Sequence, residues 1–250
     1  AGRAGDAAEQ FRAALAIADD PDARQRLAIA LAEAGEVAEA TRLLERVRDE
    51  LPADSPQRFD VLERLGNLYA DIDRYRESAL AFLESIEPDD VATARKLLSS
   101  SISFAEAKAW NAGLDALNRA RASLPPDSAL YLEALERSAV VAVEAEKPQA
   151  AVAHYQGMLK HPMLPRSRRL DIYRRLAIVA TAAGDDASAM DAYQAIADSP
   201  DATAAQQQQA LENLGAAAER ASAYARAIAA YRRLLGYEDL APADRGEIGR

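Results

Sequence analysis

The chain has 250 residues, half of them apolar, a formal net charge of −10 and no cysteine. An acidic surface repels phosphate backbones, which argues against general nucleic-acid binding, and a chain without thiols forms neither disulfides nor thiolate zinc sites. Alanine and leucine, the best helix formers, dominate the apolar half. No run alternates apolar and polar residues between turn signals as a strand would, so the expected class is all-α.

In chain order, the first element is a half-repeat over residues 1–20, in which Ala7, Phe11 and Ala14 match the second helix of a pair. Six full repeats follow, over residues 21–54, 55–90, 91–126, 127–164, 165–200 and 201–240. Their key residues run Leu27-Ala28, Leu31, Ala40, Leu44, Val47; Leu65-Gly66, Tyr69, Ser78, Phe82, Ser85; and Ser100-Ser101, Phe104, Gly113, Leu117, Ala120. They continue Ser138-Ala139, Ala142, Ala151, Tyr155, Met158; Leu176-Ala177, Ala180, Ala189, Tyr193, Ile196; and Leu214-Gly215, Ala218, Ala227, Tyr231, Leu234. Residues 241–250 read as the opening of a further first helix. A solenoid repeat cannot bury its own apolar face and ordinarily needs polar capping units. Neither end supplies one, so the expectation is a segment of a longer array.

Two columns are small in every copy, at Ala28, Gly66, Ser101, Ala139, Ala177, Gly215 and at Ala40, Ser78, Gly113, Ala151, Ala189, Ala227. Four residues after the second column the side chain is always large: Leu44, Phe82, Leu117, Tyr155, Tyr193, Tyr231. Small residues at fixed points on successive helices let two backbones approach, and the large one fills the space beside them. The copies stand 38, 35, 38, 38 and 38 residues apart, so first helices longer by a turn or longer links between repeats are expected. Asp54-Ser55-Pro56 and Pro126-Asp127-Ser128 read as capped helix starts. Pro162-Met163-Leu164-Pro165 reads as a loop.

These columns resemble the tetratricopeptide repeat signature: Leu-Gly and Tyr on the first helix, then Ala, a bulky aromatic and an apolar residue on the second, with Pro near the end (here Pro52 and Pro125). The resemblance implies a right-handed superhelical solenoid of antiparallel helix pairs, a single array over residues 1–250, whose first helices line a concave surface that holds a partner. The usual repeat in that family is about 34 residues.

Nothing points to an enzyme. The chain lacks phosphate-binding glycine loops, metalloprotease and nucleophile-elbow motifs, and no cofactor or metal is expected. The two histidines, His154 and His161, read as packing or surface residues. Glu144/Glu146 and Asp185/Asp186 sit at helix ends, where Asp185 and Asp186 suit the positive end of a dipole. Trp110 shares its register with Val37, Tyr75 and Tyr224 and reads as repeat packing.

The implied concave column is Ile29, Asn67, Ile102, Val140, Ile178, Ala216, and one turn earlier Gln25, Glu63, Leu98, Glu136, Arg174, Glu212. It predicts an apolar seam of Leu98, Ile102, Val140 and Ile178 bordered by Glu63, Asn67, Glu136, Arg137, Arg174 and Arg175, a groove for a partner helix or extended peptide. Some relatives grip a peptide carboxylate with a Lys and Asn one turn apart; here the pairs are Gln25/Ile29 and Glu63/Asn67, without the lysine. Lys160, His161, Arg166, Arg168, Arg169, Arg174 and Arg175 form a basic stretch opposed only by Asp171. Lys160, Arg166, Arg168, Arg169 and Arg175 are read as a docking patch for an acidic partner.

The functional expectation is a non-catalytic protein-interaction scaffold with a protein or peptide partner. The Ala-rich array resembles the periplasmic region of bacterial exopolysaccharide export proteins of the outer membrane, which implies a polysaccharide-modifying enzyme or a cationic polysaccharide as partner and a periplasmic location in biofilm formation. The alternatives are a cytoplasmic adaptor or sensor that binds a peptide of its target, and the recruiting arm of an enzyme. No apolar stretch approaches the roughly 18 residues that span a bilayer.

Overall fold

Every first helix ends in the same way. Gly35, Asp73, Lys108, Glu146, Gly184 and Ser222 adopt left-handed backbone, with φ of 89°, 60°, 55°, 55°, 69° and 57°, in register with the repeat. The following residue, Glu36, Arg74, Ala109, Lys147, Asp185 or Ala223, donates its amide N–H five residues back, to Leu31, Tyr69, Phe104, Ala142, Ala180 or Ala218, at 2.7–2.9 Å. This closes the helix in a Schellman turn and satisfies carbonyls that the helix end would otherwise leave free. That same residue then accepts the amide of Ala40, Ser78, Gly113, Ala151, Ala189 or Ala227. The small second-column residue thus makes the first i to i−4 bond of the second helix. One left-handed residue therefore reverses the chain within two or three positions.

The computed structural model describes residues 2–16, 20–87 and 92–236. Among these the protein is all-α: α1 (Gly2–Leu15), α2 (Pro21–Ala34), α3 (Val37–Glu50), α4 (Pro56–Asp71), α5 (Tyr75–Glu84), α6 (Thr93–Glu106), α7 (Trp110–Ala122), α8 (Ala129–Glu144), α9 (Pro148–Lys160), α10 (Arg169–Ala183), α11 (Asp186–Ala197), α12 (Ala204–Arg220) and α13 (Tyr224–Leu235). A 3-10 turn, Arg166–Arg168, precedes α10. The chain forms two compact units, Ala1–Leu124 and Pro125–Arg250, so α1–α7 belong to unit 1 and α8–α13 to unit 2. Within each, neighbouring helices pack as antiparallel pairs. The further first helix expected over 241–250 lies outside the described residues.

The added length of the repeat is distributed between helices and links. First helices α4, α8 and α12 run 16, 16 and 17 residues, while second helices α5, α11 and α13 run only 10, 12 and 12. Links inside a repeat are two or three residues, and those between repeats are longer. Ser55 and Ser128 accept the amides of Arg58 and Tyr131 at 3.2 Å, and Asp185 accepts that of Ser188 at 3.0 Å. These caps supply acceptors to amides at the start of a helix.

Both small columns are buried, and the close approach they permit is visible at the glycines. A methyl group on Gly66 would sit 2.9 Å from three carbons of the Phe82 ring, and one on Gly215 would overlap Tyr231. In the first helix, Ala8 and Leu15 pack toward Leu27 and Leu31 alongside Ala7 and Phe11, whereas Ala14, expected to pack, is exposed. A shift of one residue is about 100° around a helix, enough to turn Ala14 outward and Leu15 in.

Candidate functional site

Unit 2 opens an apolar groove along its first helices. From α10 come Arg174, Ala177 and Ile178, from α11 Tyr193 and Ile196, and from α12 Gln206, Gln209, Ala210 and Asn213; together they enclose about 220 Å³. On its other flank Ile178 also lines a depression of about 360 Å³ with Val143, Glu146, Pro148, Val179 and Ala182. Ile178 is therefore the shared wall of two adjoining hollows, and it is 67% exposed, with Val140 at 47% and Val143 at 42%. One exposed aliphatic side chain is ordinary; Val143 and Ile178 expose apolar surface on the same hollow.

Polar groups rim the groove. Gln209 donates to Glu212 at 3.0 Å and Gln206 accepts the amide of Thr203 at 2.9 Å. Arg174 and Asn213 have no partner among the described residues. Apolar walls with a few unpaired donors and acceptors suit an extended or helical peptide, which brings side chains for the walls and backbone groups for the rim. Gln206, Gln209 and Asn213 were not read from the sequence. They lie one turn or more before the column at Ala216, where the groove widens toward α12.

Unit 1 presents the equivalent column quite differently. Ile102 is 41% exposed, but Leu98, expected beside it, is 5% exposed and belongs to the core. Helix α6 is buried around most of its circumference, because Ser100 donates to the carbonyl of Ala79 at 3.0 Å and the Ser78 and Ser103 hydroxyls meet at 2.8 Å. Those hydroxyl contacts draw α6 onto α5 and take Leu98 with it. Glu63 faces Lys96 at 3.5 Å, Gln25 donates to Asp60 at 3.0 Å, and the Asn67 amide bonds back to the Glu63 carbonyl of its own helix at 3.0 Å. A peptide carboxylate meets no converging cations at either pair.

On the outer side of unit 1 a hollow of about 240 Å³ holds charges that satisfy one another. Tyr69 donates to Glu45 at 2.8 Å, and Arg74 pairs with Glu45 at 3.1 Å and Glu77 at 3.0 Å. The Arg74 guanidinium also lies 4.5 Å over the Tyr69 ring. Burial, together with the bond to Glu45, pushes the Tyr69 phenol up to about 12.

The basic stretch of unit 2 divides on the same criterion. Arg168 pairs with Glu136, and Arg175 with Asp171 at 2.8 Å, a bond that holds its guanidinium above the ordinary value. Arg137, placed at the border of the seam, is engaged by Glu133 at 2.8 Å. His161 is buried, stacked on Tyr131 with ring centroids 6.1 Å apart, and its Nδ1 accepts the Met163 amide at 3.2 Å, so it does not join a basic surface. Lys160 is exposed, and Arg166 and Arg169 open onto a separate cavity. Trp110 is half-buried at the start of α7. Among the described residues no three His, Asp or Glu side chains are placed to hold a metal ion, and no helix is long and apolar enough to cross a membrane.

Residues 1–65 match the family model for the tetratricopeptide repeat. No curated protein sequence matches the chain. Among solved structures, the C-terminal part of a repeat-containing protein from Cytophaga hutchinsonii is 12% identical with a TM-score of 0.54, covering 99% of this chain and 95% of its own. A tetratricopeptide repeat protein from Parabacteroides merdae is also 12% identical, TM-score 0.51, covering 99% and 91%. YrrB, described as a tetratricopeptide protein with an unusual peptide-binding site, is 16% identical, TM-score 0.52, covering 82% and 100%. At these identities the likeness is one of fold: an all-α repeat solenoid.

Proposed function

We propose that this chain is a non-catalytic scaffold that holds a peptide segment of a partner protein in the α10–α12 groove of unit 2. The observation that carries the reading is Ile178, exposed at the junction of two apolar hollows and flanked by the unpaired Arg174 and Asn213. The solved structure of YrrB, with its peptide-binding site, supports the same use of this fold. The test is a peptide-array selection followed by titration of the best binder. Ile178→Asp should weaken binding at least about tenfold, or about 1.4 kcal/mol, with the melting temperature unchanged because the side chain is exposed. Full binding by the folded variant would sink the groove.

The narrower reading places the partner in bacterial exopolysaccharide export, in the periplasm. What supports it is the Ala-rich repeat texture and a net charge of −10, which suits a partly deacetylated, cationic polymer or the enzyme that makes it. Binding of partly deacetylated poly-N-acetylglucosamine that falls with salt would support it; no binding at low salt removes the polymer as partner.

A further inference from the structure

A second concave site lies at the start of α10. Arg166, Arg169, Leu170 and Tyr173, from the 3-10 turn and the start of the helix, face Ala195, Ser199, Pro200 and Asp201 across about 400 Å³. The cavity lies at the N-terminal end of α10, about one turn before the peptide groove, and no residue lines both.

Two arginines unpaired among the described residues share this cavity, whereas most described arginines of unit 2 are neutralised by a neighbour. Arg137, Arg168, Arg175, Arg220, Arg226 and Arg233 each have a carboxylate partner. Arg166 and Arg169 have none among the described residues, although Asp201 stands in the same wall. Two guanidinium groups beside one carboxylate, none of them within ion-pair distance, leave the hollow with net positive charge in a chain that is acidic as a whole. The Tyr173 hydroxyl is likewise unpaired among the described residues. The Ser199 hydroxyl accepts the Asp201 amide at 3.2 Å and keeps its own proton to donate. Four donor groups thus converge on a cavity whose remaining walls, Leu170, Ala195 and Pro200, are apolar.

We infer that this cavity docks an acidic segment of a partner protein, a glutamate or aspartate side chain lying between Arg166 and Arg169 with a neighbouring apolar side chain against Leu170 and Pro200. Guanidinium groups offer paired N–H donors that match a carboxylate. Asp201 and the negative charge of the whole chain discriminate against polyanions and dianionic phosphate, whose repulsion grows with charge, and favour a single carboxylate. The site deepens the scaffold reading by giving one partner a charged foothold apart from the apolar groove.

The test is fluorescence anisotropy with a labelled peptide of alternating glutamate and leucine. The wild-type protein should bind it, and affinity should fall as salt is raised from low to physiological strength. Arg166→Gln/Arg169→Gln, which keeps the aliphatic stems, should lose at least tenfold, and Arg166→Ala/Arg169→Ala no less. Lys147→Gln/Arg232→Gln removes the same charge elsewhere in unit 2 and should stay within twofold. Ile178→Asp should leave this probe unaffected, so failure here and failure of the groove are read separately. An equal loss in the Lys147/Arg232 control, wild-type binding by both arginine double variants, or no binding of the probe at low salt would each overturn the proposal. So would a phosphoserine–leucine peptide that binds tenfold more tightly than the glutamate one.

Discussion

Helix α6 in unit 1 and helix α10 in unit 2 occupy the same place in the repeat yet spend their surfaces in opposite ways. On α6, Lys96, Ser100, Ser101 and Ser103 are buried, and their polar atoms are bonded to α5, to α6 itself or to the loop that follows α5. On α10, the equivalent buried positions are Ile172, Leu176, Ala177 and Val179, and the exposed ones include Arg174 and Ile178. A helix whose hydrogen-bonding capacity is consumed by its neighbours offers little to a ligand. A helix with an apolar inner face and an unpaired outer one offers both burial and bonds. The same fold thus yields a closed module and an open one by changing a few side chains per repeat.

The largest effect that follows from this contrast is at Lys96. Its register partners Val61, Ala134, Ile172 and Ala210 are buried and apolar and Ala23 is half-buried, yet Lys96 is only 6% exposed. It survives there because Nζ donates to the Ser85 carbonyl at 2.8 Å and faces Glu63 at 3.5 Å. Lys96→Ala removes the buried stem and leaves the Ser85 carbonyl without this donor, an expected loss of about 3 kcal/mol. Lys96→Met restores the volume and should lose only about 1 kcal/mol. Trp110, the single tryptophan, lies in unit 1, so its fluorescence during urea unfolding reports this unit. If the Met variant unfolds at the wild-type urea concentration, the bond to Ser85 is not what holds α6 to its neighbours; if it unfolds with the Ala variant, the buried stem is not.

Next in size are the two first-column glycines, one in each unit. Gly66→Ala places its methyl group against Phe82, which is 6% exposed and has nowhere to turn; about 2 kcal/mol of overpacking is expected even after the gain in helix propensity. Gly215→Ala meets the far end of Tyr231, which is only half-buried. Unit 2 already accommodates this pairing, as Ala177 with Tyr193 and Ala139 with Tyr155. The expected loss is under about 1 kcal/mol, measured by circular-dichroism denaturation of both variants. Equal losses would mean that aromatic mobility, and not the methyl group, is the wrong variable.

How much of this could be read from the residues depends on how few solutions each position allows. Backbones in near-contact tolerate only Gly, Ala or Ser, so the columns through Gly66 and Gly215 were plain, and with them the helix pairs. The helix starts at Ser55 and Ser128 were plain for the same reason: a free amide needs an oxygen. The faces were less legible. Leu98 looks like a groove residue until the Ser100 and Ser103 hydroxyls are seen bonding α6 to α5. The charges of Arg168 and Arg175 read as free until their partners Glu136 and Asp171 appear. One of those partners is 32 residues away and the other four, and pattern alone cannot say which arginine in a run is neutralised. Gln206 lies in the stretch by which α12 starts earlier in the repeat than α10, and Asn213 shares the register of Arg137 and Arg175, where the sequence shows a charged border.

The smallest effects test whether the two units are equivalent where their surfaces are not. The left-handed turn residues were half hidden: Gly35 and Gly184 announce themselves, while Asp73, Lys108, Glu146 and Ser222 hold the same conformation with a Cβ. For a residue other than Gly, Asn or Asp that conformation costs about 1 kcal/mol, and the flexibility that glycine adds to the unfolded chain returns part of it. Lys108→Gly in unit 1 and Glu146→Gly in unit 2 should therefore each stabilise by about 0.5 kcal/mol. Asp73→Gly should gain nothing, because aspartate tolerates the turn and its Oδ1 accepts the Tyr75 hydroxyl at 2.5 Å. Gly35→Ala and Gly184→Ala should each lose about 1 kcal/mol. Matching gains at Lys108 and Glu146 in thermal melts would show that the turn is one device used alike in both units, and that the difference between them lies wholly in the faces the turns set side by side. A gain confined to one unit would show instead that α6 and α8 impose different strain on the turns that follow them.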